Sequence, residues 1–498
     1  MITMKYIITL IISLCLSYTL IGQYSFELTI ASDEDETFYD AIEDTNADIV
    51  LVGRIGDLYN LDWDPYILKI YPNGDTMSKR IASADTNGWF QNIELLNDGN
   101  YMLFGKCITG TDIDYDKLWL CKMDTALNVI FHKTYNVLSA PYTRCHFSRS
   151  HTDTDHNIIL SGGVSYDSDQ RNENGDFIFV KCNQQGDTLL TKTQHFEFGQ
   201  QMYDITQIPN TTDYLGVGGF IDMHNFGPIR LDSAFNIKQI RHFYSQISIL
   251  GCMHWLTDTS YLFAACNYVF GSDEQQVGTY IIDTALNYQK QLILGKIDTV
   301  EYPAYDHSIG YVNDTTIYIG AQQIHPSWWT TRQNVLELYV IDRELNLLGH
   351  KDFTDPDARL FLNGILPTAE MGCLFYGARC AEENQHEYDV KIIKVLREDI
   401  EIEISPITVT SELVHQINAK AYPNPAREVL NIPLSKNIGL ENTRIQIFDM
   451  NGKKISDRLL NGQGNVLQVS LSTLRPGMYF YTILSKGEKP VTGKFIKN

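Results

Sequence analysis

Past residue 22 no apolar run comes near the roughly 18 residues a helix needs to span a bilayer, so no helical membrane anchor is expected in the body of the chain. Positive charge is scarce: 39 Lys and Arg face 61 Asp and Glu, a net charge of −22. A surface this acidic repels phosphate backbones, which excludes nucleic acid as a partner. No Cys-x-x-Cys pair and no Cys/His spacing of a structural zinc site occurs. The Gly-x-Ser-x-Gly elbow, His-Glu-x-x-His, the phosphate-binding loop and the EF-hand loop are all missing, which removes the enzyme classes that depend on them.

What remains is a globular composition, 44% hydrophobic and 11% aromatic, over 498 residues, enough for two or three domains. Lys5 precedes an apolar stretch from Ile7 to Leu20 that ends at small Gly22, so residues 1–22 are expected to be a secretory signal peptide. Eight of the nine Cys lie beyond it, bound for an oxidising compartment. Cys252 with Cys266, and Cys107 with Cys121, stand symmetrically about turns. Either disulfides or buried thiols fit that spacing.

One pattern then recurs seven times. An apolar run that usually closes on Gly appears at 49–53, 101–105, 158–162, 214–218, 261–265 (closing on Ala), 316–320 and 373–377, at steps of 47 to 57 residues. Gly there lets another backbone come close. A further apolar run follows each, entered from Asp at Asp64, Asp116, Asp176 and Asp389, where a short carboxylate can bond loop N–H groups. The next turn repeats most faithfully, as in Asp124-Thr-Ala-Leu-Asn128, Asp232-Ser-Ala-Phe-Asn236 and Asp283-Thr-Ala-Leu-Asn287, with Gly or Asn expected at the positive-φ position. Four short strands per repeat make one antiparallel sheet with two apolar faces. Stacking the sheets in a circle buries both faces, so the expected fold is all-β: a seven-bladed β-propeller over residues 23–404, with 24–30 available to latch the last blade.

From 405 the pattern stops. A polar linker is expected at 405–420, and a small Ig-like β-sandwich at 421–498, punctuated by Asn451-Gly452 and Pro476-Gly477. This last part carries 11 Lys and Arg against 5 Asp and Glu, so the acidity belongs to the middle of the chain.

Asn97-Asp-Gly-Asn-Tyr-Met-Leu-Phe-Gly105, Asp116-Lys-Leu-Trp-Leu-Cys-Lys-Met-Asp124 and Asp176-Phe-Ile-Phe-Val-Lys181 resemble the blades of a family of secreted bacterial propeller proteins. That family is defined by architecture and implies no particular activity. Tyr422-Pro423-Asn424-Pro425, the hairpin Ile447-Phe-Asp-Met-Asn451-Gly452-Lys453, Leu474-Arg-Pro476-Gly477-Met-Tyr479 and the terminal Gly493-Lys-Phe-Ile-Lys-Asn498 resemble the type A C-terminal sorting domain of the type IX secretion system of the Bacteroidetes. The resemblance implies export to the periplasm, passage across the outer membrane by the type IX machinery, and release or attachment at the cell surface.

Polar residues aligned near the starts of the first strands are Tyr39, Asn92, His146, Asp204, His254, His307 and Asn363. Three His and an Asp in one axial mouth could hold a metal or work as acid and base. Asp112, Asp114 and Asp116, and the pair Asp153 and Asp155, are alternative calcium ligands, although Asp is ordinary in such turns. Trp328 and Trp329 offer a stacking surface for a sugar or a protein. The expected function is a secreted or cell-surface recognition propeller for a glycan or a protein, with no required cofactor beyond the calcium option. The alternative is an extracellular hydrolase or lyase acting on polysaccharide from the axial mouth.

Overall fold

A computed structural model describes residues 25–57, 62–81, 86–109, 116–139, 142–165, 175–195, 200–220, 225–241, 243–244, 247–268, 275–296, 299–324, 334–381, 388–400, 421–433, 443–449, 453–460, 466–484 and 491–498. The signal segment and the linker lie outside them, as do Asp112, Asp114, Trp328, Trp329, Asn451 and Gly452. The chain divides into two compact units, 1–411 and 412–498. Among the described residues no helix is long and apolar enough to cross a membrane.

In the first unit the described strands form four four-stranded sheets, one of five strands and one of nine, all antiparallel but for one bridge, and the nine-stranded sheet comprises two neighbouring blades. Blade one is Asp35–Glu43, Ile49–Asp57, Asp62–Ile70 and Thr76–Arg80. Blade two is Thr86–Leu95, Tyr101–Thr109, Asp116–Met123 and Val129–Tyr135. Blades three, four and five begin at Arg144–Thr152, Gln200–Gln207 and Ile247–Thr257. Blade six has its first strand in two pieces, Val300–Pro303 and Ile309–Asn313, and blade seven starts at Ala358–Pro367. A single parallel pairing, Gln275 with Val300, links the sheets of blades five and six.

Closure is visible in the core. One cluster of buried apolar side chains lies between each successive pair of blades, such as Val52, Ile67, Phe90 and Trp119 between one and two. Another joins Phe38 and Leu51 of blade one to Leu374 and Ile392 of blade seven, so the stack returns on itself. The latch is the strand Phe26–Ile30, which pairs antiparallel with Tyr388–Val395 as the outer strand of blade seven. The two ends of the unit thus share one sheet, and opening the ring would expose two apolar faces at once.

The recurring Gly has a steric cause. The first strand of most blades carries a bulge, at Tyr39, Gln91, Ser148, Tyr203 and Asn363. The bulge drives a carbonyl onto the second strand: a Cβ added at Gly53, Gly105 or Gly162 would lie 1.8 Å from the oxygen of Thr37, Trp89 or His146. The turn chemistry departs from expectation. Gly74 and Gly186 have the expected positive φ, but where the turn has no Gly, as at Asp124, whose Oδ1 accepts the N–H groups of Ala126 and Asn128, the positive-φ residue is Leu127 (φ 59°), not Asn128. Phe235, Leu286 and Leu345 repeat this. Each side chain is buried in the core between blades, and that burial offsets the cost of the left-handed conformation.

The cysteines are buried thiols. Cys107 lies opposite Lys117, four positions from Cys121, and Cys252 lies opposite Ala264, two from Cys266. Neither pair is in register for a disulfide. Burial raises the thiol pKa of Cys107 to about 11 and of Cys121 to about 12, which leaves them unreactive.

The second unit is a sandwich of a two-stranded sheet, Val429–Pro433 with Val466–Ser470, and a four-stranded sheet in the order Lys454–Leu460, Thr443–Phe448, Gly477–Leu484, Val491–Lys497. Leu430, Ile432, Ile447, Val469, Tyr481 and Phe495 fill the space between them. Asn424 Oδ1 accepts the N–H of Ile496, and Ala426 donates to the Ile496 carbonyl, which ties the Tyr422–Pro425 segment to the last strand. Tyr479 stacks on Phe495 with centroids 5.6 Å apart, and its hydroxyl donates to the Arg475 carbonyl.

Candidate functional site

The bulges face the propeller axis, and each blade sends a polar side chain there: Asp40, Gln91, Arg149, Asp204, Cys252, Asp306 with His307, and Asn363. Blade six contributes two because its irregularity is the largest. Where blade one has the single residue Tyr39 between paired positions, blade six has the five residues 304–308 between Pro303 and Ile309. That loop projects across to blade seven, where Asp306 N–H donates to the Asn363 carbonyl and Ile365 N–H donates to the His307 carbonyl.

At the centre lies Arg149, buried, with Nη2 2.9 Å from Cys252 Sγ and Nε 3.9 Å from Asp204 Oδ1. The Cys252 thiol donates to the Asp306 carbonyl (3.1 Å) and accepts the Ser308 N–H (3.3 Å). His307 Nε2 stands 2.8 Å from Asp40 Oδ1, a charge contact whose angle does not meet hydrogen-bond geometry. Gln91 spans two environments. Its Nε2 donates to Asp306 Oδ1 at 3.3 Å, and its Oε1 accepts the indole N–H of Trp89 at 3.1 Å. Burial raises the Asp306 carboxyl to about 7; Arg149 opposes this, Asp40 adds to it, and the Gln91 bond opposes it. Near neutral pH Asp306 is therefore poised between acid and base.

Trp89 belongs to a shelf between blades one and two. The Arg54 guanidinium lies 3.8 Å from the Trp63 ring centroid, 5.4 Å from Trp89 and 5.6 Å from Tyr39. Lys106 Nζ sits 4.7 Å from the Trp89 ring on the other side and is held by Asp116 Oδ2 at 2.8 Å. Rings and cations alternate here, with Trp63 buried and Tyr39, Arg54, Trp89 and Lys106 partly exposed, and Gln91 links Trp89 to Asp306.

Of the residues singled out from sequence, Asp204, His307 and Asn363 reach the axial cluster. Asp204 is largely engaged in structure: its oxygens accept the N–H groups of Ile205 and of Met253 in the next blade. Burial raises its pKa, against Arg149 and these bonds. Tyr39 and Asn363 occupy bulges on the axis. Asn92 is buried one position past the Gln91 bulge. His146 lies two residues ahead of its bulge, near Lys106 and Asp116. Its ring reaches solvent, yet enough protein surrounds it that burial and Lys106 lower its pKa to about 4. His254 stacks on Tyr311 at 4.4 Å, half-buried and lowered to about 4 by burial. The four do not form one metal site.

Asp116 is spent on Lys106 and on the Cys145 N–H of blade three. Asp153 caps its own hairpin through the N–H groups of Asp155 and Asn157 and pairs with Lys181 at 2.6 Å. Both carboxylates are thus engaged in structural contacts. Arg149, Cys252 and Asp306 were missed in the sequence. Counting from the recurring Gly162 back across the hairpin would have located the bulge and so Arg149, whereas the run of blade five closes on Ala265 and gives no such marker for Cys252. Asp306 depends on the enlarged loop, which the repeat does not predict. One further group of metal-ligating side chains, Glu337, His350 and Asp352, lies away from the axis in blade six.

Residues 420–498 match the model of the secretion system C-terminal sorting domain. The second unit is a type IX sorting domain. A chain carrying the sorting domain is directed to the cell surface or the extracellular space. A comparison with curated protein sequences finds no match. Similar solved structures include hydrazine synthase of Kuenenia stuttgartiensis, 9% identical with a TM-score of 0.46, covering 74% of this chain and 97% of that one. The β-propeller domain of the trilobed protease of Pyrococcus furiosus is 9% identical with a TM-score of 0.40, over 75% and 96%. PorZ, a surface component of the type IX secretion system of Porphyromonas gingivalis, is 10% identical with a TM-score of 0.30, over 91% of this chain and 74% of that one.

Proposed function

We propose that the propeller is a recognition module delivered by its sorting domain, and that it binds carbohydrate on the face where second strands pass to third. The reading rests on an asymmetry between the two faces. One face is made of tight hairpins, many locked by a carboxylate such as Asp124, Asp153 or Asp283 and others by an amide or hydroxyl oxygen such as Asn183 or Thr257. The other receives the connections from second to third strands and from blade to blade, whose sequences differ from one repeat to the next. On the same side lie the Tyr39, Arg54, Trp63, Trp89 and Lys106 shelf and the axial residues. Rings stack on the apolar faces of sugars, and the flanking cations suit hydroxyl and carboxylate groups. A glycan array probed with the mature chain tests this, with binding expected to depend on Trp89.

The second reading is a hydrolase or lyase acting on polysaccharide, favoured by the Asp306 carboxyl near pKa 7 beside His307. Release of reducing ends or unsaturated sugars from a polysaccharide panel, abolished by Asp306→Asn, distinguishes it from binding alone.

A further inference from the structure

The third strand of blade six, Val335–Ile341, alternates as its neighbours do: Leu336, Leu338 and Val340 pack toward blade seven, and Tyr339 and Ile341 toward blade five. Glu337 breaks the pattern. It lies opposite Ala321, as Tyr66 lies opposite Gly53, Trp119 opposite Gly105 and Ile178 opposite Gly162. The first three blades thus put a large apolar side chain where blade six puts a carboxylate.

That carboxylate is wholly buried, with the Tyr339 hydroxyl as a neighbouring donor and no hydrogen bond of good geometry to either oxygen. Its nearest cationic atoms are Lys296 Nζ at 3.7 Å and His350 Nε2 at 3.8 Å, both too far for one. Ligand atoms of Glu337, His350 and Asp352 all lie within 4.8 Å of one another, and His350 Nε2 is 2.9 Å from Asp352 Oδ1. Tyr339 stacks flat on the His350 ring at 4.4 Å and fixes its plane. A second buried carboxylate, Glu301, is electrostatically coupled to Glu337. Its Oε1 accepts bonds from Lys296 N–H and the Thr299 hydroxyl. Three carboxylates therefore face one Lys ammonium and one imidazole.

We propose that Glu337, His350 and Asp352 bind one divalent transition-metal ion, with Glu301 as neighbouring carboxylate. One imidazole among carboxylates suits zinc or manganese. Ligand atoms of a tetrahedral zinc site stand about 3.4 Å apart, so closing on an ion needs contraction of roughly 1 Å at the widest pair. Lys296 does not block it: its side chain is half exposed and can leave Asp352 for solvent. The ion would supply the positive charge that Glu337 lacks, and would clamp the third and fourth strands of the blade. This places a metal between blades five and six, away from the axis, and does not depend on the carbohydrate reading.

The test uses the mature chain stripped with a chelator, its thermal midpoint followed against Zn²⁺ and Mn²⁺ with Mg²⁺ as control, and stoichiometry read by calorimetry. Expected are a rise in midpoint with Zn²⁺ or Mn²⁺ and one ion per chain. Glu337→Gln should raise the metal-free midpoint above pH 8, where the buried carboxylate is charged, and should abolish the metal-dependent rise. His350→Gln should abolish the rise too, and Co²⁺ should give a visible absorption band in the parent that His350→Gln loses. No rise with either ion, or a rise that Glu337→Gln or His350→Gln retains, overturns the proposal.

Discussion

The Asp204 carboxylate of blade four accepts the backbone N–H of Met253 in blade five at 2.7 Å, as Asp40 of blade one does for Ile93 in blade two at 3.0 Å. These bonds join neighbouring first strands at the axis. Asp204→Ala should leave the Met253 donor unpaired and Arg149 with one counter-charge fewer. A loss of about 3 kcal/mol in denaturant unfolding is expected.

Gly105→Ala tests the steric origin of the repeat. The new methyl would meet the Trp89 carbonyl oxygen at 1.8 Å, backbone against backbone. A loss of about 3 kcal/mol is expected. Gly99→Ala has open space around it, and its cost comes only from a φ of +79°. It should be the milder change, about 1 kcal/mol, and the ordering is read by thermal unfolding of the two variants.

Stability should depend on pH in a defined window. Burial raises Glu36, Glu301 and Asp306 to about 7 and Glu337 to about 8, from ordinary values of 3.8 to 4.5. Between those limits the folded chain holds more protons than the unfolded one, so stability falls as pH rises. His146, His151 and His254 are lowered by burial from 6.5 to about 4 and act in the opposite sense, costing stability as pH falls below 6.5. The two sets oppose each other from pH 4 to 6.5. Above 6.5 the carboxylates titrate together with His350, whose pKa, against burial, is raised by Asp352 and Glu337 and which acts in the same sense. The metal-free midpoint should therefore drop between pH 6.5 and 8, and Glu337→Gln should flatten that drop.

The repeat was legible because its signals are local: a Gly under a bulge, a carboxylate in a hairpin, an apolar run of five. Phe26–Ile30 could be assigned to the last blade because a ring needs its outer strand from somewhere. The positive-φ position was misplaced, since burial of Leu127 outweighs the intrinsic preference of Asn128, and burial is not local. The axial residues were harder. A shift of one position in a strand moves a side chain to the other face, and the bulges introduce such shifts in most first strands. Asn92 stands one position past its bulge, and His146 two ahead. Glu337 was illegible for another reason: only alignment through the second strand reveals that it occupies an apolar position.

Lys133 lies on the hairpin side, bonded to the Gln185 carbonyl and Asp187, far from the shelf in the repeat pattern. It is a control for the claim that one face of the propeller takes the ligand. Parent, Trp89→Ala and Lys133→Ala mature chains should be compared on one glycan array. The account predicts a bound glycan whose affinity drops about tenfold or more with Trp89→Ala, the worth of one lost ring stack, and stays unchanged with Lys133→Ala. Binding that survives Trp89→Ala and is lost with Lys133→Ala, or no glycan bound by the parent, would contradict it.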